Sequence, residues 1–302
     1  MKKVSVLVPV YNVAPFVESS LQSILNQTYD NIEIIIVDDA STDNTHDICK
    51  KLKEQYDNIT IIQNNENRGI SESLNTGLRF CTGDYIARAD GDDLLDIDRI
   101  KKQVEFLENN SAYGVVGCWI YNINEDGKII GKNEYPIEHS SIEKCIEYSS
   151  PILHIWLARR SVYEKLSGYR NTNPTEDYDF ILRCLHYKIK LYNLPYYGSY
   201  IRLRNGNTLT VNSIRQKITF NYLLKKYKDN EIEELDISNI PKPNIIVSFI
   251  HRISTKLLKN AFESKRAKKY LLILLSLVSP YTLQEVYRRK KFKSLVKLLN
   301  KK

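Results

Sequence analysis

The sequence has few cysteines, no long apolar run and no leader-like start, and each of these absences excludes a class of protein. Its five cysteines are far apart and none forms a Cys-x-x-Cys pair, so neither a zinc site nor a disulfide framework is predicted; they are Cys49, Cys81, Cys118, Cys145 and Cys184. The longest apolar run, Leu271 to Val278, is much shorter than the ~20 residues that a membrane-spanning helix needs. The run after Met1 is too short for a signal peptide, so we expect a cytoplasmic protein.

Positive charge is unevenly distributed along the 302 residues. From Pro241 to the C-terminus, 16 Lys and Arg stand against 2 Asp and Glu, which leaves 28 basic and 34 acidic residues before Pro241. The net charge of +8 therefore belongs to the tail. A basic tail beside an acidic body suggests an anionic partner, either nucleic acid or a membrane surface.

Strand-like and helix-like segments alternate three times in the first third of the chain. The strands are continuous apolar runs, and the segments between them carry apolar residues at helical spacing. The runs are Val4 to Val10, Ile32 to Val37, Ile59 to Ile62 and Tyr85 to Ala87. This alternation predicts an α/β fold with a doubly wound, mostly parallel sheet, helices on both faces and ligands at the carboxyl ends of the strands.

Polar residues follow each of these strands, and the densest group is Asp90 to Asp93. Taken alone, the string A-D-G-D-D is more typical of a solvated acidic loop. However, the strand ends of a parallel sheet meet at one edge, so Tyr11-Asn12, Asp38-Asp39 and Asn67-Arg68 are expected beside it. Asp90 and Asp92 then lie on one side of a turn, where a divalent cation relieves their repulsion and carries a phosphate-bearing ligand.

The alternation of strand-like and helix-like segments becomes less regular beyond residue 110. We divide the chain into a domain at 1–227, a polar linker at 228–243 and a helical tail at 244–302. The tail pattern predicts basic amphipathic helices of the kind that lie on anionic membranes. Two alternatives stay open. The helices can pack on the body with a solvated basic face, or they can form a homodimer interface.

Five strings resemble the family 2 glycosyltransferases, inverting enzymes of the GT-A fold, and specifically the bacterial enzymes that extend surface polysaccharides such as capsule or lipopolysaccharide. The resemblance spans Met1 to about Asn207, and five strings in family order at family spacing are far more specific than any one alone. The strings are V-S-V-L-V-P-V-Y-N at Val4 to Asn12, I-V-D-D-A-S-T-D at Ile36 to Asp43, N-R-G at Asn67 to Gly69, A-D-G-D-D at Ala89 to Asp93, and E-D-Y-D-F-I-L-R at Glu176 to Arg183.

The resemblance implies a nucleotide-sugar donor, with UDP as the expected nucleotide. Residues 1–110 would form the nucleotide-sugar-binding half and residues 111–227 the acceptor half. Tyr11 is placed on the uracil ring and Asp39 on the uracil edge or ribose. The remaining donor-binding residues that it implies are Pro9, Arg68, Asp90 and Arg204.

The resemblance also implies a metal ligand and a catalytic base. Asp92 would hold Mn²⁺ or Mg²⁺, with Asp93 as a helper. Asp177 would be the base, although it can instead complement the dipole of the helix that it begins. Glu176 would contact the acceptor or orient the base.

Three further residues follow from the family's pattern. His154 and Trp156 lie in the string P-I-L-H-I-W, where relatives contact acceptors, and His154 can equally be a core histidine. Many relatives have a histidine that faces the metal or diphosphate where this chain has Arg204. An arginine cannot ligate a cation, so Arg204 is expected to clamp the diphosphate, and the identity of the metal is left open.

These residues predict a transferase that moves a sugar to a hydroxyl of a glycan or lipid-linked acceptor at the inner face of the membrane. The alternative is a catalytically inactive nucleotide-sugar-binding scaffold that pairs with another transferase. Asp92 and Asp177 are both present in context, which favours activity. Nucleic acid is not expected as a partner, because the tail contains no recognised module and no interleaved aromatic residues.

Overall fold

The computed structural model describes residues 1–204, 213–263 and 279–301. For residue 213 and residues 258–263 it describes the backbone alone. Residues 205–207, the last of the stretch that the resemblance covers, and the apolar run from Leu271 to Val278 lie outside the described residues.

The first half of the protein is a parallel sheet covered by helices on both faces. Its strands lie in the order β3-β2-β1-β4, and all three neighbouring pairs are parallel. The strands are β1 (Val4–Val10), β2 (Ile32–Asp38), β3 (Ile59–Gln63) and β4 (Tyr85–Arg88), and the helices between them are α1 (Ala14–Leu25), α2 (Thr45–Lys53) and α3 (Ile70–Leu78). The central strands β1 and β2 are buried along almost their whole length, which explains why their sequences are continuously apolar.

The same sheet continues into the second half, where its pairing becomes mixed. The order continues from β4 through β8, β6 and β9 to β5, with β7 paired to β6. The strands are β5 (Leu94–Leu95), β6 (Tyr113–Ile123), β7 (Ile129–Asn133), β8 (Leu157–Arg159) and β9 (Lys190–Arg202), and the helices are α4 (Arg99–Asn109), α5 (His139–Cys145), α6 (Arg160–Leu166) and α7 (Glu176–His186). Only β6 and β9 pair in parallel here.

The predicted α/β fold class is therefore confirmed, and its parallel character belongs to the first half. Short connections account for part of the difference. Residues 124–128 form a tight turn between β6 and β7, and such a turn returns the chain antiparallel. One sheet runs through both predicted halves, so residues 1–110 and 111–227 share a continuous framework.

Two apolar layers cover the faces of the sheet and fix the strand ends. One contains Leu7, Trp156 and Phe180, and the other is built around Val8 and Ile36. At the edge of the second layer, a Cβ atom on residue 91 would lie 2.5 Å from Val10 Cγ1. Glycine at this position lets the acidic turn pack directly against the end of β1.

The tail does not behave as one unit. Its described helices are α9 (Ile245–Glu263) and α10 (Pro280–Leu299). Before the tail, α8 (Ser213–Lys228) lies at the end of the preceding domain, and a 3₁₀ turn at Ile237–Asn239 lies in the segment 228–243. Helix α10 docks on the body through Phe292 and Val296, which join a small core with Cys118 and Tyr135. By contrast, α9 exposes Ile245, Ile246, Phe249 and Ile253 to solvent. The packed alternative thus describes α10, while the four exposed side chains of α9 form an apolar face that no other described part of the chain covers.

The segment 228–243 is also more than the free linker that its polar composition predicts. Ile232 is fully buried in the main core, and its carbonyl oxygen accepts a hydrogen bond of 2.7 Å from Arg170 Nη1. Ile232, together with the partly buried Leu235 that packs against the same core, anchors this segment. None of the described helices has both the length and the apolar character needed to cross a membrane.

Candidate active site

Loops at the carboxyl ends of β1, β2 and β4 meet around a cavity of about 410 Å³. The first two loops are joined directly, because Asn12 Oδ1 accepts the Thr42 N–H at 2.8 Å and the Asn12 N–H donates to Ser41 Oγ at 3.1 Å. We call this cavity the donor pocket. The residues that line it include these, which were predicted to bind the donor or the metal: Pro9, Tyr11, Asp39, Asp90, Asp92 and Arg204. The predicted convergence of the strand ends is present in the structure.

Asp39 organises the loop before α3. Its carboxylate accepts the backbone N–H groups of Arg68 at 2.9 Å and Gly69 at 2.8 Å, and the side-chain amide of Asn64 at 2.7 Å. The Arg68 side chain points elsewhere, with Nη2 3.9 Å from the Glu72 carboxylate, and it lines a neighbouring cavity. Arg68 therefore reaches Asp39 through its backbone, and its guanidinium does not line the donor pocket.

Each carboxylate of the acidic turn has a different partner. Asp90 Oδ1 lies 3.1 Å from Arg88 Nε, and Asp92 Oδ2 lies 2.7 Å from Arg204 Nε. Asp93 is almost completely buried and accepts the Arg202 backbone N–H at 2.8 Å. Two arginines thus approach the turn from β4 and from the end of β9.

Burial and neighbouring charges shift the pKa values of Asp93 and Asp90 in opposite directions. Burial, followed by the charges of Asp92 and Asp90, raises the pKa of Asp93 well above its usual value. Burial also opposes ionisation of Asp90, but Arg88 and His154 outweigh it and hold the pKa of that carboxyl well below its usual range. An added positive charge near Asp93 would therefore favour its ionised form.

The ligand atoms of Asp90, Asp93 and His154 all lie within 4.8 Å of one another. Carboxylate oxygens and an imidazole nitrogen suit Mn²⁺, and the carboxylates alone suit Mg²⁺. Burial, followed by the charges of Asp92 and Asp90, opposes ionisation of Asp93, and a bound cation would offset both effects. These residues fit a divalent cation, whereas Asp92, the predicted ligand, is turned towards Arg204.

His154 connects the acidic turn to the predicted base. Its Nε2 lies 3.1 Å from Asp90 Oδ2, and its Nδ1 lies 4.0 Å from Asp177 Oδ2. Burial alone would lower the pKa of His154, but the Asp90 carboxylate reverses this effect and raises it. Since His154 also lines the donor pocket, it is neither an isolated core residue nor remote from the chemistry.

Asp177 lies in the first turn of α7 and lines a second cavity, of about 210 Å³. Its Oδ1 accepts the N–H of Tyr178 at 2.7 Å, which leaves Oδ2 on the His154 side. Glu176 lies behind it, buried, with Oε1 3.2 Å from Arg88 Nη1. Glu176 lines neither of the two cavities, and its two predicted roles stay predictions.

Trp156 corrects an expectation from the sequence. The indole is fully buried, stacks on Phe180 with ring centroids 5.1 Å apart, and donates its N–H to the Tyr163 hydroxyl at 2.9 Å. Its side chain cannot reach an acceptor in this arrangement. His154 and Trp156 both precede β8 in a segment without regular secondary structure, so their spacing in the sequence does not fix the depth of either side chain.

Sequence reasoning missed Arg88, which pairs with Asp90 two positions away and with Glu176 88 positions away. A signal was present, because Arg88 is the one charged residue of the otherwise apolar strand β4. An arginine buried in such a strand needs carboxylate partners, and the fold supplies them in Asp90 and Glu176.

A doubly wound sheet with an acidic turn at its carboxyl edge and a carboxylate at the start of a facing helix defines the class of GT-A glycosyltransferases. Solved structures agree with this class. The mannosyltransferase PcManGT from Pyrobaculum calidifontis, in complex with GDP-Man and Mn²⁺, superposes with a TM-score of 0.60 at 20% identity, covering 99% of this chain and 87% of that one. At this identity the likeness supports the fold.

Sequence comparisons identify the family. The model for glycosyl transferase family 2 matches residues 5–167. The Escherichia coli UDP-Glc:alpha-D-GlcNAc-diphosphoundecaprenol beta-1,3-glucosyltransferase WfaP is 31% identical over 229 residues, covering 74% of this chain and 86% of the relative. The E. coli O-antigen biosynthesis glycosyltransferase WbnJ is 34% identical over 186 residues, covering 61% and 72%. The chain belongs to glycosyl transferase family 2, and the enzyme is a glycosyltransferase.

Proposed function

We propose that the protein transfers a hexosyl or N-acetylhexosaminyl group from a UDP-sugar to a hydroxyl of a lipid-linked or growing glycan in polysaccharide biosynthesis, with inversion at the anomeric carbon. The observation that carries this proposal is the position of Asp177. Its carboxylate lines one cavity, and it lies 4.0 Å from His154, which lines the other. A base at this boundary can serve an acceptor on one side and a donor on the other.

The donor pocket has the groups that a nucleotide sugar requires. Tyr11, whose side chain is half-exposed at the pocket edge, offers a ring for the base to stack on. Asp39 and Pro9 lie beside it and bound the nucleoside. Arg204 presents a guanidinium to the diphosphate. The names of relatives support UDP as the nucleotide and an undecaprenyl-diphosphate-linked sugar as one kind of acceptor.

In the transfer step, an acceptor oxygen forms a bond to the anomeric carbon as the bond from that carbon to the diphosphate oxygen breaks. The electron pair leaves with UDP, and the proton of the acceptor hydroxyl passes to Asp177 Oδ2. Because attack comes from the face opposite the leaving group, an α-linked donor gives a β-linked product. Glu176 and Arg88 hold the first turn of α7 and thereby position Asp177.

The acidic turn would hold a divalent cation, Mn²⁺ or Mg²⁺. We propose Asp92 as a ligand from the family's pattern, and Asp90, Asp93 and His154 from the clustering of their ligand atoms. When bound, such a cation neutralises the charge that develops on the departing diphosphate. The Mn²⁺ in the PcManGT complex supports this choice.

Hydrolysis of a panel of nucleotide sugars tests the donor assignment. With Mn²⁺ or Mg²⁺ present and no acceptor added, we expect slow release of UDP from one UDP-sugar and no release from GDP-sugars. The measurement is UDP formed per enzyme over time, with calorimetric UDP binding in parallel. If no nucleotide is released and UDP does not bind, the donor assignment is wrong and an inactive scaffold is favoured.

The exposed face of α9 supports contact with an anionic membrane surface. Ile246 and Phe249 are 68% and 62% exposed, and Arg252 and Lys256 lie on the same helix. Apolar residues beside basic ones match the boundary between acyl chains and anionic headgroups. This arrangement would place the enzyme at the inner membrane face, close to a lipid-linked acceptor.

Sedimentation with lipid vesicles tests the membrane contact. We expect binding to phosphatidylglycerol vesicles and little to phosphatidylcholine, and an Ile246→Ser/Phe249→Ser variant should bind at least about tenfold more weakly. Ile130→Ser removes an exposed isoleucine from β7 and should bind as the wild type does. If the Ile246→Ser/Phe249→Ser variant binds vesicles as the wild type does but changes from dimer to monomer, the exposed face of α9 is assigned to dimerisation instead. Salt-sensitive binding to RNA alone would also contradict membrane contact.

A further inference from the structure

We propose that the cavity beside Asp177 binds a phosphate group carried by the acceptor, and that Arg288 of helix α10 recognises that phosphate. This inference rests on the proposed function and names the chemistry of its acceptor. It gives the C-terminal tail a part in substrate binding, beyond docking on the body.

The cavity is built by two distant parts of the chain. One wall comes from the body, with Tyr148 and the serines that follow it, and with Asp177 in the first turn of α7. The facing wall comes from α8 and α10 and contains Lys217, Phe220, Gln284, Glu285, Arg288 and Arg289. The sequence gives no hint of this pairing, because the two walls meet only when α10 packs back on the body.

The basic side chains of the wall formed by α8 and α10 differ in their carboxylate partners. Lys217 and Arg289 both pair with Glu285, so their charges are partly neutralised. Arg288 has no carboxylate within 4.0 Å among the described residues. Arg288 is therefore the cation of this wall that is available to an anion.

The structure holds the Arg288 guanidinium in place. Its Nη1 donates to Asn221 Oδ1 at 2.7 Å, and its central carbon lies 4.6 Å from the centre of the Phe220 ring. Phe220 in turn stacks on Tyr178, the residue after Asp177, with ring centroids 4.1 Å apart. Because one hydrogen bond uses one of five N–H donors, the others remain for a ligand.

The side chains that line the cavity indicate its ligand. The Asp177 carboxylate and the Arg288 guanidinium both line it, together with the stacked rings of Phe220 and Tyr178. An acceptor sugar fits this arrangement when its hydroxyl faces Asp177 and a phosphate on the same sugar faces Arg288. Guanidinium groups bind phosphate through paired N–H donors, and the basic tail attracts anionic acceptors towards the cavity.

Calorimetry on the full chain tests the proposal with three probes: geranyl diphosphate, geraniol and glycerol 3-phosphate. Each titration is made with and without saturating UDP and Mn²⁺, so that binding in the donor pocket is separated from binding beside Asp177. We expect geranyl diphosphate to bind in both conditions and geraniol to bind at least about tenfold more weakly. Tighter binding of glycerol 3-phosphate than of geranyl diphosphate would assign the phosphate to a polyol phosphate acceptor instead of a lipid.

Three variants connect this binding to Arg288. Arg288→Ala should weaken geranyl diphosphate about tenfold or more, and Arg288→Lys should recover part of the loss. Lys290→Ala removes the same charge from an exposed position on the same helix and should stay within about twofold of wild type. Thermal unfolding followed by circular dichroism checks that each variant is folded, and Arg288→Lys provides the reading if Arg288→Ala is not.

The possible failures are distinct. Wild-type protein that binds UDP but does not distinguish geranyl diphosphate from geraniol overturns the phosphate proposal alone. Equal losses in Arg288→Ala and Lys290→Ala overturn it as well, because the effect would then be one of overall charge. Absence of UDP binding overturns the proposed function, while the Arg288 comparison is still read in the samples without UDP.

Discussion

The Asp177→Asn variant is expected to transfer sugar about 10²–10⁴-fold more slowly than the wild type while binding the donor normally. Asparagine keeps the shape of the side chain but cannot take the acceptor proton. The donor pocket should be unaffected, because Asp177 lines the second cavity and its contact with a residue of the donor pocket is with His154. The measurements are kcat for transfer to an acceptor and the Kd for UDP.

A matched comparison separates the base from the groups that position it. Glu176→Gln changes a carboxylate of the same helix turn that is buried against Arg88 and lines neither cavity. We expect a smaller loss from this variant, expressed in kcat and without a change in the pH at which transfer is half-maximal. If Asp177→Asn instead keeps transfer within about tenfold of wild type, the base is another group, and His154→Gln becomes the decisive variant.

The second large effect concerns the acidic turn. Asp92→Ala is expected to lower metal-dependent UDP release about 10²–10³-fold, because a charge that stabilises the leaving diphosphate is lost with its ligand. Chelation of the cation with EDTA should have the same effect on the wild type. The measurement is the initial rate of UDP release as a function of Mn²⁺ concentration.

Asp93→Asn is the informative partner of this variant. The clustered ligand atoms belong to Asp90, Asp93 and His154, whereas Asp92 is paired with Arg204. A raised Mn²⁺ requirement in Asp93→Asn with an unchanged requirement in Asp92→Ala would assign the cation to the cluster. Full activity of the wild type in EDTA would contradict a cation altogether and leave the Arg204 guanidinium to neutralise the diphosphate.

The parts of the fold that were predicted from sequence are those with local causes. Strands β1 and β2 are buried on both faces, and their uninterrupted apolar runs show this directly. The carboxyl ends of parallel strands share an edge, so the loops after β1, β2 and β4 could be brought together without coordinates. Pro9, Tyr11, Asp39, Asp90, Asp92 and Arg204 accordingly line one pocket.

Some residues were placed wrongly from the sequence or overlooked, because their positions depend on side-chain burial and on contacts between distant segments. Trp156 has the same local string as His154, yet one is a core residue and the other lines the donor pocket. The loop of Arg68 reaches Asp39 through its backbone, a contact that residue identity does not reveal. Arg88 was overlooked because its partners lie 2 and 88 positions away.

By itself the sequence determined the family, the α/β framework and the carboxylates available for chemistry, because these follow from periodicity and from motifs that are continuous in the chain. Only the tertiary structure decided which carboxylates cluster with His154, how His154 connects the two cavities and which tail helix forms a wall of the second. These depend on distances between side chains from separate elements. Such distances are fixed by the packing of these elements, and local patterns in the sequence do not reveal them.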